Sequence, residues 1–410
     1  MTVANGFSLK LLFYAYDWSP LVGGVQTVTR DLAEGICASS DANGNQAIGV
    51  TLITQTPAGS MDDSALPFRV VRRPRFTALL AEIWSADVIH LASPAFLPLL
   101  IAWFLRKSTV VLHHGYQSIC PNGLLLFGPE HRFCPGHFMA GDYGKCLECN
   151  SENLGRWGSF RSLILTFVRR WLTRRVSVNV VPSHHIGDRI ALPHTQLIHH
   201  GVEPADLLTI SSSKGADYPP ARFAFVGRLV KEKGVAVLLR AAHQLSQKGY
   251  DLRLQILGDG PERGPLESLA ADLDVKRQTE FLGWVPAETI ANVLADTSAV
   301  VIPSLWEDVA PLVAIEQMMQ GRLVIASDVG GLGEAVDGLG LKFSPGDVDA
   351  LESCMLRVIE DRDAIAELRK VAQQRAFAAF QRKRMVEEHR SLYLKIARAP
   401  SEKAHQNRSR

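Results

Sequence analysis

Short runs of β-branched and apolar residues alternate along the chain with stretches of helical period, the pattern of parallel sheets joined by crossover helices. In the first half Leu9–Ala15, Val50–Thr54, Phe68–Val71, Asp87–Ala92, Thr109–His113, Val176–Pro182 and Gln196–His199 read as strands. The second half repeats the alternation with Arg222–Val226, Leu252–Leu257, Glu280–Leu282, Ala299–Ile302, Leu323–Ala326 and Leu341–Phe343, separated by helical stretches such as Val235–Lys248 and Pro311–Gln320. The fold class is therefore α/β, with two Rossmann-like, doubly wound domains. A Ser/Gly/Pro-rich stretch from Thr209 to Pro220 reads as the linker. Residues 1–210 form the expected first domain and 211–398 the second, whose final helix is expected to pack back on the first. The polar residues 399–410 are expected to be a disordered tail.

Length agrees, since 410 residues exceed one ordinary hydrophobic core and suit two domains of about 200 residues each. With 44 Lys and Arg against 42 Asp and Glu the net charge is only +2, which gives a nucleic-acid partner no global electrostatic support. The amino terminus lacks the basic and apolar regions of a signal peptide. Ala95 to Leu105, the longest apolar run, is interrupted by Pro98 and falls short of the roughly 18 residues a membrane span needs. These features predict a cytoplasmic protein.

Ligands of doubly wound domains sit at the carboxyl ends of the strands, so the loops that follow strands carry the candidate chemistry. Gly23 and Gly24, between the first strand and a helix, would let backbone N–H groups approach an anion; an ordinary turn fits the same residues equally well. The segment Phe225 to Gly234 is more specific. It sets Arg228 and Lys233 past a buried strand at a helix entrance, where a guanidinium fork and a point-charge ammonium match a diphosphate. Leu257 to Pro261 and Glu280 to Pro286 add glycine-bearing loops at the same edge.

Acids flank a helix start between Ile302 and Gly321. Glu307 and Asp308 lie in the loop after a strand, Pro311 suits the first helical turn, and Glu316 follows inside the helix among apolar neighbours. Carboxylates so spaced can accept hydrogen bonds from hydroxyls at separate points of a long polyol ligand. Asp308 also suits a simple helix cap.

In order and spacing, Gly23-Gly24, Val226 to Gly234, Gly258 to Pro261, Phe281 to Val285 and Pro303 to Glu316 resemble the family 4 glycosyltransferases, retaining enzymes of the GT-B fold, over most of the chain. The resemblance implies two Rossmann-like domains facing an interdomain cleft and transfer of a sugar from a nucleotide-diphosphate sugar to a hydroxyl acceptor. It implies that Arg228 and Lys233 bind the donor diphosphate, Glu316 the ribose hydroxyls, and the acid eight residues earlier the transferred sugar. That position is Asp308 where the family usually has Glu, and the sequence leaves open whether Asp308 or Glu307 fills it. Val309 and Ala310 replace the usual Phe-Gly. His114, six residues before Cys120, resembles the histidine that faces the donor sugar; Gly258 and Trp284 complete the donor-binding set.

No cofactor is expected for transfer, because cations and helix amino ends would hold the leaving diphosphate. The triplets Asp272/Asp274, Asp347/Asp349 and Asp361/Asp363 lie in or beside helices and read as surface acids. The expected donor is a UDP- or GDP-sugar. The acceptor is a saccharide, a lipid-linked saccharide or a small molecule, in keeping with polysaccharide biosynthesis. Two alternatives stand beside this reading: a catalytically silent GT-B binding subunit and a sugar-nucleotide 2-epimerase.

Four of the six cysteines, Cys120, Cys134, Cys146 and Cys149, fall in a Gly/Pro-rich insert with spacing Cys-x13-Cys-x11-Cys-x2-Cys. They suggest a structural Zn²⁺, with an iron–sulfur cluster and unrelated thiols as alternatives. Arg156 to Arg175 reads as a helix with six arginines and an aromatic side. Such a helix suits peripheral contact with the inner membrane face and equally suits a core helix with solvated arginines.

Overall fold

The computed structural model describes residues 9–19, 23–39, 48–59, 61–128, 132–203, 221–309 and 311–406. Two parallel sheets organise it. The first is built from β1 (Leu9–Ala15), β2 (Ile48–Thr54), β3 (Arg69–Arg72), β4 (Val88–Leu91) and β5 (Ser108–Leu112). After these the chain forms a small antiparallel hairpin, β6 (Leu126–Phe127) and β7 (Arg132–Phe133), before returning as β8 (Val178–Val181) and β9 (Thr195–Leu197). Strand order is β3-β2-β1-β4-β5-β8-β9. Winding therefore reverses between β1 and β4.

The second sheet comprises β10 (Ala221–Val226), β11 (Leu252–Leu257), β12 (Thr279–Gly283), β13 (Ala299–Ile302), β14 (Leu323–Ser327) and β15 (Leu341–Phe343), in the order β12-β11-β10-β13-β14-β15. Its switch point lies between β10 and β13. Residues alternate strictly between its two faces. Phe223, Phe225, Leu254, Ile256, Val301 and Ile325 pack in one core. Ala224, Leu257, Val300, Ile302, Val324 and Ala326 pack in the other. Strands buried on both sides read as nearly continuous apolar runs, which is why they were recognisable in the sequence.

The chain divides into two compact units, but not at one linker. The first contains the described residues up to Leu125, of Pro135–Gly201 and from Gln381 onward; the second contains the described residues of Val202–Phe380 and of 126–134. The expected boundary near Ser211 lies outside the described residues. Gln381 onward joins the first unit because the helix Arg382–Gln406 is tied to it by side chains. Arg382 hydrogen-bonds the Asp31 carbonyl and pairs with Glu34 at 3.4 Å, while buried Tyr393 bonds His90 Nδ1 at 2.8 Å. That helix runs to Gln406, through a stretch that the polar composition suggested was disordered. Among the described residues no helix is long and apolar enough to cross a membrane.

Candidate active site

In the second unit the loops after four strands are stitched together at the sheet's carboxyl edge. Gly227 N–H donates to the Leu257 carbonyl at 2.9 Å, Gly258 N–H to that of Gly283 at 2.7 Å, and Gly331 N–H to that of Asp308 at 2.7 Å. Two glycines make the approach possible. A Cβ on Gly258 would stand 1.8 Å from the Gly227 carbonyl oxygen, and one on Gly234 would stand 2.0 Å from that of Pro303. Both also hold positive φ, 134° and 67°.

Gly234 caps the helix Val235–Gln247 and brings Lys233 beside the loop after β13. There Lys233 Nζ meets Asp308 Oδ2 at 2.7 Å, with both side chains mostly buried. The Trp306 ring lies 5.7 Å from the ammonium. Lys233 follows β10 and Asp308 follows β13, so the pair sits at the topological switch point, where doubly wound sheets bind ligands. Arg228 is exposed, and no side-chain hydrogen bond or ion pair engages it among the described residues. The site thus couples two groups that the sequence assigned to different parts of the donor: Asp308 already orients the ammonium expected to meet phosphate.

The other acids lie on the same segment. Glu307 is buried, Val309 is buried, and Glu316 is half-buried on the helix Leu312–Met319. Ala310 lies outside the described residues. Trp284 is exposed after β12. Sequence reasoning overlooked two neighbours: Ser304 Oγ and Trp306 Nε1 are buried with no hydrogen-bond partner among the described residues, so the loop keeps unspent donors. Asp347 is spent structurally, its carboxylate capping Ala350 N–H at 2.9 Å.

On the first unit Gly23 precedes the helix Gly24–Ala38 in extended backbone, a conformation open to any residue, so geometry does not demand glycine there. The two histidines after β5 divide their roles clearly. His113 Nε2 bonds Asn179 Oδ1 at 2.9 Å, and Asn179 in turn donates to the carbonyls of Thr173 and Pro193. That ring is a core strut. His114 keeps some exposed surface, and its Nε2 has no partner among the described residues. Its Nδ1 lies 3.2 Å from Nε2 of buried His200, a partner for which there is no local signal along the chain. Burial, reinforced by His113 and His389, pushes His114 down to about 3.

The four insert cysteines are all buried. Asn122 stands between two of them, accepting from Cys120 Sγ at 2.9 Å and donating to Cys149 Sγ at 3.3 Å, and Cys134 belongs to the other unit. No group of three or more His, Cys, Asp or Glu among the described residues is arranged to hold a metal ion. The Zn²⁺ expectation therefore gains no support from the structure.

Two doubly wound α/β units, each with its loops gathered at the carboxyl edge of a parallel sheet, define the GT-B class. Sucrose-phosphate synthase from Thermosynechococcus elongatus has this fold, with TM-score 0.70 and 20% identity over 95% of this chain and 100% of that one. Anabaena HepE in complex with UDP has it too, with TM-score 0.69 and 17% identity over 94% and 100%. More particularly, residues 209–377 match the family model of Glycosyl transferases group 1. An uncharacterized glycosyltransferase of Methanocaldococcus jannaschii is 30% identical over 177 residues, 40% of this chain and 45% of that protein. The matches to the curated relatives span about half of their length or less.

Proposed function

We propose that the protein is a retaining glycosyltransferase that moves a sugar from a UDP- or GDP-sugar to a hydroxyl of a saccharide or lipid-linked saccharide, working at the cytoplasmic side of a membrane. The observation that carries this reading is the Lys233–Asp308 pair at the switch point of the second sheet, beside a glycine-capped helix start. A diphosphate entering there adds its charge to an ammonium already fixed in place, with Arg228 exposed on the same loop. As the leaving diphosphate develops charge, these cations and the helix amino end stabilise it without a metal. Glu316 takes the ribose hydroxyls and His114 the transferred sugar. UDP bound to Anabaena HepE, a protein of the same fold, supports a uridine donor.

Thermal-shift measurements with UDP, GDP, ADP and their sugars test the donor. A shift with one base that is lost in Lys233→Ala is expected; no shift with any of them overturns the reading. Transfer should persist in excess chelator, and a complete, Mg²⁺-reversible loss would contradict metal independence. A second reading, a catalytically silent donor-binding subunit, is favoured by one observation: Asp308 replaces the usual glutamate and is engaged by Lys233. Donor binding without transfer to any acceptor, and without donor hydrolysis, would select it.

A further inference from the structure

The helix Tyr143–Thr173 is interrupted at Gly155, where φ is 65°, and its second part presents two unlike faces. Ser159, Leu163, Thr166 and Thr173 are buried against the first unit. Trp157, Phe160, Ile164, Phe167 and Trp171 recur at intervals of three and four residues, so they form one stripe along the helix, and all five are exposed. Trp157 is 84% exposed, more than any other large apolar side chain described.

The stripe broadens at the carboxyl end of this helix. Trp103, closing the helix Phe96–Phe104, meets Trp171 edge-on at 5.0 Å, and Phe104 beside it is 78% exposed. Monomeric proteins rarely leave so continuous an apolar surface uncovered. The charge around it is one-sided. From Leu154 to Arg175 the chain carries six arginines and no acid. Arg156, Arg161, Arg174 and Arg175 are exposed, and the Arg175 guanidinium lies 3.9 Å from the Trp171 ring centroid.

From this juxtaposition we infer that the exposed face of residues 156–175, with Trp103 and Phe104, docks on an anionic lipid surface. Indole and phenyl rings settle at the headgroup–acyl boundary, and arginines at the edge of the stripe meet lipid phosphates. No helix in the described residues is fit to cross the bilayer, so the contact is peripheral. The inference names the surface and the lipid charge for the membrane-side reading above, and it stands on surface chemistry alone, independently of the donor site.

The test is co-sedimentation of the full chain with vesicles of phosphatidylcholine alone and of phosphatidylcholine with 30% phosphatidylglycerol, roughly the anionic regime in which basic patches bind. Expected is at least a tenfold preference for the anionic vesicles, weakening from low to moderate salt. Trp157→Ala with Phe160→Ala, and separately Arg156→Glu with Arg161→Glu, should each reduce binding at least tenfold while donor-induced thermal shifts stay as in the parent. These are exposed side chains, so melting curves should be unchanged, and the charge-reversal variant keeps the test open if the aromatic one folds poorly. Equal binding to both vesicle types, full binding by both variants, or self-association of the chain abolished by Trp157→Ala would each overturn the inference. Loss of donor binding with vesicle binding intact would instead remove the proposed enzyme and leave the membrane surface standing.

Discussion

Lys233 and Asp308 show how one side chain can set the value of another. The ammonium has three donors, and Asp308 takes one at 2.7 Å, which fixes the direction of the remaining two. Lys233→Ala should strand the Asp308 carboxylate in a mostly buried position at a cost of about 1–3 kcal/mol of stability, and should lower transfer at least about 100-fold, the scale of losing one electrostatic contact to the transition state. Urea unfolding and initial rates check both; turnover within twofold of the parent would count against the site. The His114–His200 pair makes a subtler case. With His114 held down to about 3 and His200 well below its ordinary value by burial, both rings are neutral near pH 7, so a single proton occupies their 3.2 Å contact. Whichever ring donates, His200 decides whether His114 Nε2 carries a hydrogen. His200→Ala should therefore lower kcat on the order of tenfold, about the worth of one positioned hydrogen bond, with Asn at 200 recovering part of it. Rates equal to the parent in both variants would reduce His200 to packing.

At the scale of elements, the loops that follow strands work because glycines let backbones touch. Gly234→Ala forces a methyl to 2.0 Å from the Pro303 carbonyl oxygen at φ 67°, and Gly258→Ala one to 1.8 Å from that of Gly227. Each should cost about 2 kcal/mol or more, because the colliding atoms are backbone and cannot rotate aside. Alanine at exposed Gly249, φ 89°, meets no heavy atom within 4 Å and isolates the conformational part, so it should cost only about 1 kcal/mol. Comparable losses at all three positions would mean that close approach is unimportant. These loops were legible in the sequence because glycine after an apolar run is a local signal. The central strands were legible for a similar reason: Phe223 to Phe225 or Val300 to Ile302 are apolar on both faces. The hairpin Leu126–Phe133 was not, since its strands are two residues long and pair only with each other. Nor could local pattern place His200 beside His114, 86 positions away, or set Asn122 between Cys120 and Cys149. Such pairings arise when whole elements meet, and their residue types carry no period.

Across the whole molecule the buried histidines are unevenly shared. Among the described residues His90, His113, His200 and His389 are buried, and all four belong to the first unit, as does His114. Burial pushes His113 and His389 to about 4 and His114 to about 3, and lowers His90 and His200 as well. In the unfolded chain each returns to about 6.5, so between that value and the depressed one the unfolded state binds more protons. Stability from these groups is thus complete above about pH 6.5 and is lost as pH falls, at up to about 1.4 kcal/mol per pH unit for each uncoupled ring. Two of them meet in one region, because His90 contacts His389, and also Tyr393, of the helix Arg382–Gln406, where acid should first loosen the returning chain. Calorimetry at pH 7.5 and pH 5 should therefore show the first unit's transition moving to lower temperature by more than the second's, splitting a melt that is closer to single at the higher pH. His389→Gln, which cannot charge, should narrow that gap. Equal displacement of both transitions, or a gap unaffected by the substitution, would show that acid acts through the carboxylates shared by the two units and not through this buried cluster.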